Sequence, residues 1–436
     1  MSLPSPISPD LAVVPAMGPA LGILWAIIPL IGAAFLGMFP KLFKLLWRLK
    51  LYVAVLAILA VGAAWGIKRI LPASTGNIGQ AEDSAHGWHM FRGNTARTGA
   101  IDTAAPPSAG AVNWAFTDAS TFYSSPAVVG NRVYATSAEQ TAFSESGAIY
   151  CVDADTGGMV WKIQPPGYRA TFSSPSISGD YLVVGEGLHE TRDARVFCIS
   201  LKTQKVLWDY RTQSHVESTP CIDNGRVYIG AGDDGYYCFA LEPDSAGKPK
   251  VLWHLSGDQY PDAECPPAAH DGKVYFGLGL GGRAVVCVDA ATGNEIWRRP
   301  TPYPVFGPPT IVDGKVLVGM GNGNFIDSAD KAREKELDKL RRKGASTEQL
   351  DQAYKDLAPG GEVWCLDAAT GKEIWKARVP EVVLTAVVVS NNAVYFGDRS
   401  GKVYAYALDG QLLAQRSTGV PIKASPALAG NLLYIV

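Results

Sequence analysis

The sequence of 436 residues has few charged residues, few histidines and few cysteines. Charged residues make up 18% of it, and it contains six His and seven Cys. Because the number of cysteines is odd and no two of them are close in sequence, a dense disulfide framework is excluded. The chain has no Gly-x-Ser-x-Gly elbow and no glycine loop followed by Lys and Ser or Thr, which excludes the hydrolases and nucleotide-binding proteins that depend on those motifs.

A strong excess of positive charge is also lacking. Residues 1–72 hold six Lys and Arg against one acidic residue, which leaves 33 basic and 40 acidic residues in the rest of the chain. That remainder therefore carries a formal charge of −7. A polyanion such as nucleic acid is not an expected partner of such a surface.

Charge is absent altogether from two apolar runs near the N-terminus. Residues 19–39 and 51–67 are uncharged, and the segment KLFKLLWRLK (41–50) between them has four cations. Residues 1–72 are therefore predicted to be a membrane anchor of two transmembrane helices, with the lipid bilayer as a partner. The positive-inside rule predicts a bacterial inner (cytoplasmic) membrane location, with the chain after the linker 73–87 facing the periplasm or exterior. The alternative is a single anchor preceded by an interfacial helix.

The rest of the chain is rich in a repeated unit. CVDAATGNEIW (287–297) and CLDAATGKEIW (365–375) are nearly identical, and looser copies end in the same residue type. The closing tryptophans are spaced by 47, 47, 45, 44 and 78 residues, and the last step includes an insertion: Trp114, Trp161, Trp208, Trp253, Trp297 and Trp375. A fixed period of this size indicates a repeat architecture.

Each unit is predicted to contain four short strands. Two β-branched or aromatic runs separated by Gly, Asn or Asp read as a hairpin, and a third run, an Asp-x-x-Thr-Gly turn and a fourth run follow. Four antiparallel strands every 40–50 residues are typical of a β-propeller blade. Seven hairpins begin near residues 124, 173, 218, 266, 308, 387 and 425. The predicted fold is all-β, a seven-bladed propeller over residues 88–436, or eight-bladed if the sequence is cut short.

Closure of the ring is expected to use both ends of the repeat region. The segment GAVNWAF (110–116) resembles a lone fourth strand, and ASPALAGNLLYIV (424–436) supplies only the first strands of a unit. Pairing these segments would remove exposed sheet edges. The strand that is still missing is expected either from residues 88–100 or from sequence beyond Val436.

Three features of the repeat are predicted to be structural. Gly157, Gly293 and Gly371 occupy a turn position where φ is expected to be positive, which glycine adopts without steric cost. The repeated tryptophans are predicted to be wedges between neighbouring blades, because each indole buries a large apolar area. Five cysteines share one position in the third strand and are interpreted as small buried hydrophobic residues.

Residues 327–361 interrupt the strand pattern with a predicted helical hairpin. Gly344 separates two segments rich in Ala, Glu, Lys and Leu, and Ser346 and Gln349 have the spacing of a capping box. An apolar stripe indicates an arm that docks a partner protein: Leu337, Leu340, Leu350, Tyr354 and Leu357. The alternative is a solvated hairpin that packs on itself.

Polar side chains give little indication of catalysis. Among the histidines only His86 and His89 are close in sequence, and a zinc site would need further ligands. Glu186, Asp233 and Asp234 fall in predicted loops where a calcium ion or a sugar could bind. No catalytic residue, metal ligand or cofactor is predicted from these patterns.

Together with the Asp-Ala-x-Thr-Gly-x-x-x-Trp repeats, the segment WHMFRGNTARTGA (88–100) makes the chain resemble proteins with PQQ-like (pyrroloquinoline-quinone-type) propeller repeats. That family includes quinoprotein alcohol and sugar dehydrogenases and the propeller lipoprotein of the outer-membrane β-barrel assembly machinery. The chain lacks the adjacent Cys-Cys pair of the alcohol dehydrogenases, and no Cys that could carry a lipid precedes Cys151. The resemblance implies the fold and carries over no ligand residues.

The sequence therefore favours a membrane-anchored, extracytoplasmic propeller that binds another envelope protein as an assembly scaffold, without catalysis. Two alternatives are kept. One is a PQQ-dependent dehydrogenase that holds the quinone with calcium, and the other is a sensor of a small ligand.

Overall fold

The computed structural model describes residues 88–101, 112–118, 120–140, 145–323, 327–390, 392–429 and 432–435. The chain divides between residues 73 and 74, and all described residues lie on the C-terminal side of that division. The predicted spans 19–39 and 51–67 and the linker 73–87 lie outside the described residues. Within the described ranges no helix has the length and apolar character needed to cross a bilayer.

After a two-residue strand, β1 (Ala100–Ile101), the described chain forms six antiparallel sheets of four strands each. Sheets 1 to 3 are β2 (Ala127–Val129), β3 (Arg132–Thr136), β6 (Ile149–Asp153) and β7 (Met159–Ile163); β8 (Ser176–Ser178), β9 (Tyr181–Gly185), β10 (Arg195–Ser200) and β11 (Lys205–Arg211); and β12 (Cys221–Asp223), β13 (Arg226–Gly230), β14 (Gly235–Ala240) and β15 (Val251–Ser256). The short strands β4 (Glu139–Gln140) and β5 (Glu145–Ser146) come between β3 and β6 in sequence. They pair with each other in a separate two-stranded sheet.

Sheets 4 to 6 repeat the same order. They are β16 (Ala268–His270), β17 (Lys273–Leu278), β18 (Ala284–Asp289) and β19 (Glu295–Pro300); β20 (Thr310–Val312), β21 (Lys315–Gly321), β22 (Gly361–Asp367) and β23 (Glu373–Val379); and β24 (Val388–Ser390), β25 (Ala393–Gly397), β26 (Lys402–Ala407) and β27 (Leu412–Ser417). A seventh sheet contains β28 (Ala427–Ala429) and β29 (Leu432–Tyr434), with β1 parallel to β28. The prediction of four-stranded antiparallel units is confirmed.

The first strands of successive sheets lie side by side around an axis. β2 neighbours β8, β8 neighbours β12, and the series continues through β16, β20 and β24 to β28. In each complete sheet the first strand is at one edge and the fourth is at the other, and the fourth strands of sheets 1 to 5 contain the repeated tryptophan. Third strands such as β10 and β18 are buried along almost their whole length, because neighbouring sheets cover both of their faces. This is the arrangement of a β-propeller.

The repeated indoles of sheets 2 to 5 reach the turn of the sheet that follows their own. The indole N–H groups of Trp208, Trp253, Trp297 and Trp375 donate to main-chain carbonyls of the next sheet at 2.9–3.1 Å: those of Leu241, Ala290, Ala368 and Leu408. Trp161 is also buried, with 4% of its surface exposed. Turn glycines lie against repeated indoles: Gly157 against Trp114, Gly293 against Trp253 and Gly371 against Trp297, with φ values of 70°, 75° and 68°.

The predicted strand at residues 110–116 is wrong over the part that the structure describes. Residues 112–118 contain no strand, and Trp114 is only half-buried. Its indole still donates to the carbonyl of Ala154 at 2.8 Å and lies against Gly157, as the other repeated indoles do in their turns. The indole therefore keeps the wedge position although its backbone is not paired in a sheet.

Of the two sources that the sequence left open for the missing strand of the last unit, residues 88–100 are the one that the structure shows, because β1 at the end of this segment joins sheet 7. The rest of the segment forms no further strand. Residues 88–101, here called the axial segment, cross the inner edges of the sheets. Its main chain hydrogen-bonds to first strands of five sheets, in the pairs Trp88 with Val128, His89 with Ile177, Thr95 with Ala269, Ala96 with Ile311 and Gly99 with Leu428. β1 is the end of this segment and the edge strand of sheet 7, where it pairs with β28.

The insertion between β21 and β22 contains α1 (Ala329–Arg342) and α2 (Thr347–Asp356), which confirms the predicted helical hairpin. Ser328 caps α1. Ser346 caps α2 in a complete capping box with Gln349, as its spacing predicts. Gly344 lies between the helices with φ of 79°.

Candidate functional site

The loops that join second to third strands, and those that join one sheet to the next, lie at one end of the propeller. In sheet 2, for example, Ser176 at the beginning of β8 pairs with Val183, two residues before the end of β9. The loop that enters a first strand and the loop that leaves a second strand are therefore neighbours. The turns between first and second strands, and those between third and fourth strands, are at the opposite end. The end with the second-to-third and sheet-to-sheet loops is called the loop face here.

Exposed aromatic side chains lie on the loop face. Tyr123 and Phe172 precede the first strands of sheets 1 and 2, and 58% and 41% of their surfaces are exposed. Their rings contact each other edge to face, with centroids 4.9 Å apart. Leu280 and Val420, in other loops of this face, are exposed by 59% and 62%. Exposed aromatic pairs of this kind are typical of surfaces that bind another protein.

The helical hairpin, here called the arm, also emerges from the loop face. Of its predicted apolar stripe, Leu337 is buried, Leu340, Leu350 and Leu357 are half-buried, and Tyr354 is 53% exposed. The guanidinium of Arg333 lies 4.2 Å from the ring centroid of Tyr354, which joins the two helices. Four of the five stripe residues are therefore at least partly covered, and Tyr354 keeps an exposed face.

Polar contacts hold the base of the arm. The side-chain amide of Asn322 donates to the carbonyls of Asp356 and Ala358 at 3.1 and 2.6 Å. Asp327 forms ion pairs with Lys331 at 3.0 Å and Lys335 at 2.5 Å. The Asn322 bonds hold the end of the arm next to the end of β21, and the Asp327 pairs stabilise the first turns of α1.

The axis of the propeller is filled by two buried arginines of the axial segment. Arg97 donates to the carbonyls of Phe91, Thr219, Pro220 and Pro267 at 2.5–3.3 Å. Arg92 donates to the carbonyls of Pro426 and Val387. These bonds extend the contacts of the segment to the first-strand entrances of sheets 3 and 6. Within the described part of the chain neither guanidinium forms a salt bridge, so backbone dipoles solvate both cations.

Two histidines and two glutamates meet on the loop face between sheets 2 and 3. His189 lies between β9 and β10, His215 and Glu217 lie between β11 and β12, and Glu264 lies between β15 and β16. One nitrogen or oxygen atom from each residue falls in a group whose members are all within 4.8 Å of one another. This group is called the His–Glu cluster here.

Glu264 is at the centre of the His–Glu cluster. Its Oε1 atom is 2.9 Å from Nδ1 of His189 and 3.2 Å from Nε2 of His215. Oε1 of Glu217 is buried and has no hydrogen-bond partner among the described residues. Two imidazoles and two carboxylates are a donor set that binds divalent first-row metals.

The charges of the cluster depend strongly on one another. Burial opposes ionisation of Glu264, but hydrogen bonds from His189 and His215 lower its pKa to about 2. The hydrogen bond to Glu264 in turn raises the pKa of His189 to about 9. Burial and then the charge of Glu264 raise the pKa of Glu217 to about 7. Glu264 is therefore an anion at neutral pH, whereas Glu217 is held close to its titration point.

Two of the loop acids singled out in the sequence have structural partners. Glu186 is fully buried and pairs with Arg195 at 3.0 Å and Arg169 at 3.5 Å. Asp234 accepts hydrogen bonds from the hydroxyl of Tyr237 and the main chain of Gln213, both at 2.8 Å. Both carboxylates therefore hold neighbouring loops in place. Asp233, next to Asp234 in sequence, is exposed.

The sequence patterns missed the His–Glu cluster because its residues come from three separate loops. A signal was present in the repeat itself. Glu217 and Glu264 occupy the position three residues before the proline of each loop, where other units have Tyr123, Phe172 and Phe306. The exchange of an aromatic residue for a carboxylate at two adjacent units indicates that these two loops differ in chemistry.

Known proteins that are similar to this chain agree with the fold described above. A family profile described as outer membrane protein assembly factor BamB matches residues 145–246, 245–335 and 356–436, which together exceed half of the chain. The chain is 26% identical over 331 residues to BamB of Burkholderia pseudomallei (strain K96243), covering 72% of this chain and 81% of that protein. It is 30% identical over 253 residues to quinohemoprotein alcohol dehydrogenase ADH IIB of Pseudomonas putida, covering 49% of this chain.

The lengths of these matches differ. The chain spans only 35% of the length of the dehydrogenase ADH IIB. Among solved structures, a europium-containing methanol dehydrogenase superposes with a TM-score of 0.53 at 14% identity, covering 81% of this chain and 90% of that one. At this level of identity the structural likeness shows the fold alone.

Proposed function

The chain belongs to the family of PQQ-like repeat proteins whose profile is described as outer membrane protein assembly factor BamB, and from this membership we propose that it is a protein-binding scaffold of the bacterial envelope. The proposed scaffold holds a partner protein on its loop face and acts without catalysis. The partner is proposed to be another protein involved in outer-membrane assembly, as the name of the relatives suggests.

The observation that carries this proposal is the exposed aromatic pair on the face from which the arm emerges. Tyr123 and Phe172 present rigid rings that already contact each other, so little conformational entropy is lost when a partner covers them. Tyr354 on the arm adds a third exposed ring. Aromatic side chains of this kind are the residues that most often dominate the free energy of protein association.

The filled axis supports a scaffold over a quinone enzyme. The axial segment bonds to the inner edges of the sheets from Trp88 to Gly99, and Arg92 and Arg97 occupy the space between them. A planar cofactor at that level would have to displace buried arginines from their carbonyl partners. The dehydrogenase alternative therefore needs a site above the axial segment, on the loop face.

Two finer features belong to the same proposal. The propeller is taken to have seven blades, because the axial segment reaches the first strands, or the residues that precede them, of all seven sheets. The anchor is taken to be the two uncharged N-terminal runs, 19–39 and 51–67, which would hold the propeller on the periplasmic side of the inner membrane.

The test is affinity purification of the full chain from membranes, followed by mass spectrometry. The double variant Tyr123→Ala/Phe172→Ala is expected to reduce the recovery of co-purifying envelope proteins by about tenfold or more, the effect of losing at least ~1.4 kcal/mol of binding free energy. The matched control is Leu412→Ala/Leu413→Ala, which removes two side chains of similar exposure (48% and 55%) from the outermost strand of sheet 6. Equal recovery with both variants would contradict a binding role for the loop face.

A second arm of the test addresses the dehydrogenase alternative. Purified protein is mixed with PQQ and Ca²⁺, and quinone absorbance and dye-linked alcohol oxidation are measured. The scaffold proposal expects neither bound quinone nor turnover. Robust turnover would replace it with the PQQ-dependent enzyme.

A further inference from the structure

We propose that the His–Glu cluster binds one divalent transition metal ion of the Zn²⁺ type, with His189, His215, Glu217 and Glu264 as ligands. The four residues provide two imidazole nitrogens and two carboxylate oxygens. Nitrogen ligands favour Zn²⁺ and its first-row neighbours over Ca²⁺ and Mg²⁺, which prefer oxygen alone. The proposed site is independent of the scaffold function.

The distances are close to those of a tetrahedral site. Zinc bound at about 2.0–2.2 Å needs ligand atoms about 3.3–3.6 Å from one another. Glu264 already lies within 3.2 Å of both histidines, and the widest separation in the group is 4.8 Å. The side chain of His189 is 65% exposed, so this ligand has room to adjust when an ion binds.

The hydrogen bonds within the cluster leave one carboxylate oxygen of Glu217 unsatisfied. Its Oε1 atom is buried in the cluster and has no hydrogen-bond partner among the described residues. A buried carboxylate oxygen without a donor is costly, and here a second carboxylate, Glu264, lies within reach of it. A divalent cation satisfies this oxygen and removes the repulsion between the two acids.

The repeat architecture explains why two carboxylates meet at this point. Glu217 and Glu264 hold equivalent positions in adjacent units, so their side chains emerge from neighbouring loops in the same direction. In the first two units the same position holds Tyr123 and Phe172, and those rings contact each other at 4.9 Å. Two carboxylates thus stand where the first two units have an aromatic contact between neighbouring loops. In the proposed site, a shared metal ion links the two loops instead.

Contacts with neighbouring residues orient the imidazole ring of His215 for metal binding. Its Nδ1 atom lies 3.2 Å from the hydroxyl of Ser214, which leaves Nε2 directed at Glu264. Gly232 packs against the ring, and a Cβ atom there would lie 2.6 Å from its Cε1 atom. Metal-binding histidines are usually oriented by such contacts to the second ring nitrogen. A bound ion would join loops from β9–β10, β11–β12 and β15–β16 and stiffen the loop face.

The test measures Zn²⁺ binding to the chelator-treated full chain by isothermal titration calorimetry. One Zn²⁺ per chain is expected, with affinity lowered at least about 100-fold in Glu217→Gln and in His215→Gln. The matched control is His270→Gln, which removes another histidine beside a carboxylate, Asp271 at 3.4 Å, and is expected to leave the affinity unchanged. X-ray absorption of the zinc-loaded protein is expected to show two imidazole ligands.

The Glu217→Gln variant separates metal binding from a structural role. Without metal its Tm is expected to equal or exceed that of the wild type, because the amide removes a buried like charge. Zn²⁺ is then expected to raise the Tm of the wild type and of His270→Gln but not that of Glu217→Gln. Absence of stoichiometric zinc, undiminished affinity in Glu217→Gln, or tighter binding of Ca²⁺ than of Zn²⁺ would each overturn the proposal.

Discussion

The indole of Trp297 lies directly on Gly371, the turn glycine of the next sheet. A Cβ atom on Gly371 would be 2.6 Å from Cε3 of the ring, and the indole N–H donates to the carbonyl of Ala368 in the same turn at 3.0 Å. The hydroxyl of Tyr275 donates to that carbonyl as well, at 3.2 Å. Sheet 4 therefore contacts sheet 5 through the face of the indole ring and through two hydrogen-bond donors, Trp297 and Tyr275, that share the carbonyl of Ala368 as acceptor.

The first prediction compares two glycines of sheet 5. Gly371→Ala is expected to lower the free energy of unfolding by about 2–4 kcal/mol, because the methyl group meets the indole and φ is positive. Gly314→Ala is the matched control, since its φ of 69° is nearly the same but nothing lies within 4 Å of the added atom. Its expected cost is about 1 kcal/mol, measured by denaturant unfolding. Equal costs would show that the indole contact is unimportant.

The second prediction concerns the shared acceptor. Trp297→Phe and Tyr275→Phe each leave the carbonyl of Ala368 one donor, so each is expected to cost about 1–2 kcal/mol in unfolding free energy. The double variant removes both donors and is expected to exceed the sum by about 1 kcal/mol, the cost of a buried carbonyl without a partner. Trp297→Phe combined with Tyr228→Phe, which donates to Ala290 instead, is expected to be additive. Additivity in both pairs would contradict the shared role.

The third prediction addresses the axial arginine. Arg97→Lys is expected to lower the unfolding free energy by about 3 kcal/mol or more, because an ammonium group cannot reach four carbonyls spread over three segments of the chain. Arg132→Lys is the control, since Arg132 makes a partly exposed ion pair with Asp153 and is expected to lose less than about 1 kcal/mol. Similar losses in denaturant unfolding would mean that the axial segment does not help to close the ring.

The fourth prediction concerns thiol reactivity. All seven cysteines are buried, and burial raises the pKa of Cys221 to about 11 and those of Cys151, Cys287 and Cys365 to about 12. Because the thiolate is the reactive form, no cysteine is expected to react with an aromatic disulfide reagent in the native protein, and seven are expected to react in denaturant.

The control for thiol reactivity is Ser417→Cys, at an exposed position on β27 that should react at once in the native state. Rapid native reaction of a wild-type cysteine would show that its strand opens locally.

The sequence predicted the strands, the turns and the arm because their causes are local. A hairpin needs alternating side chains and a turn residue, and the capping box of α2 needs only Ser346 and Gln349 at the right spacing. The period of the tryptophans then indicated the radial arrangement, since each unit can bury its faces only against its neighbours.

The tertiary structure alone decided what happens at the axis and on the loop face. The sequence left residues 88–100 open as the source of one strand, and only the end of this segment forms one, in β1. The rest of the segment bonds across the inner edges of the sheets, where first strands have backbone groups that their own sheets do not pair. Trp114 keeps its wedge position without a strand because its ring contact does not depend on backbone pairing. The His–Glu cluster likewise forms from residues up to 75 positions apart, His189 to Glu264, because the packing of sheet 2 against sheet 3 brings their loops together. Local patterns specify the pieces of this protein, and the chemistry of its axis and its loop face follows from distances that exist only after the sheets have packed against one another.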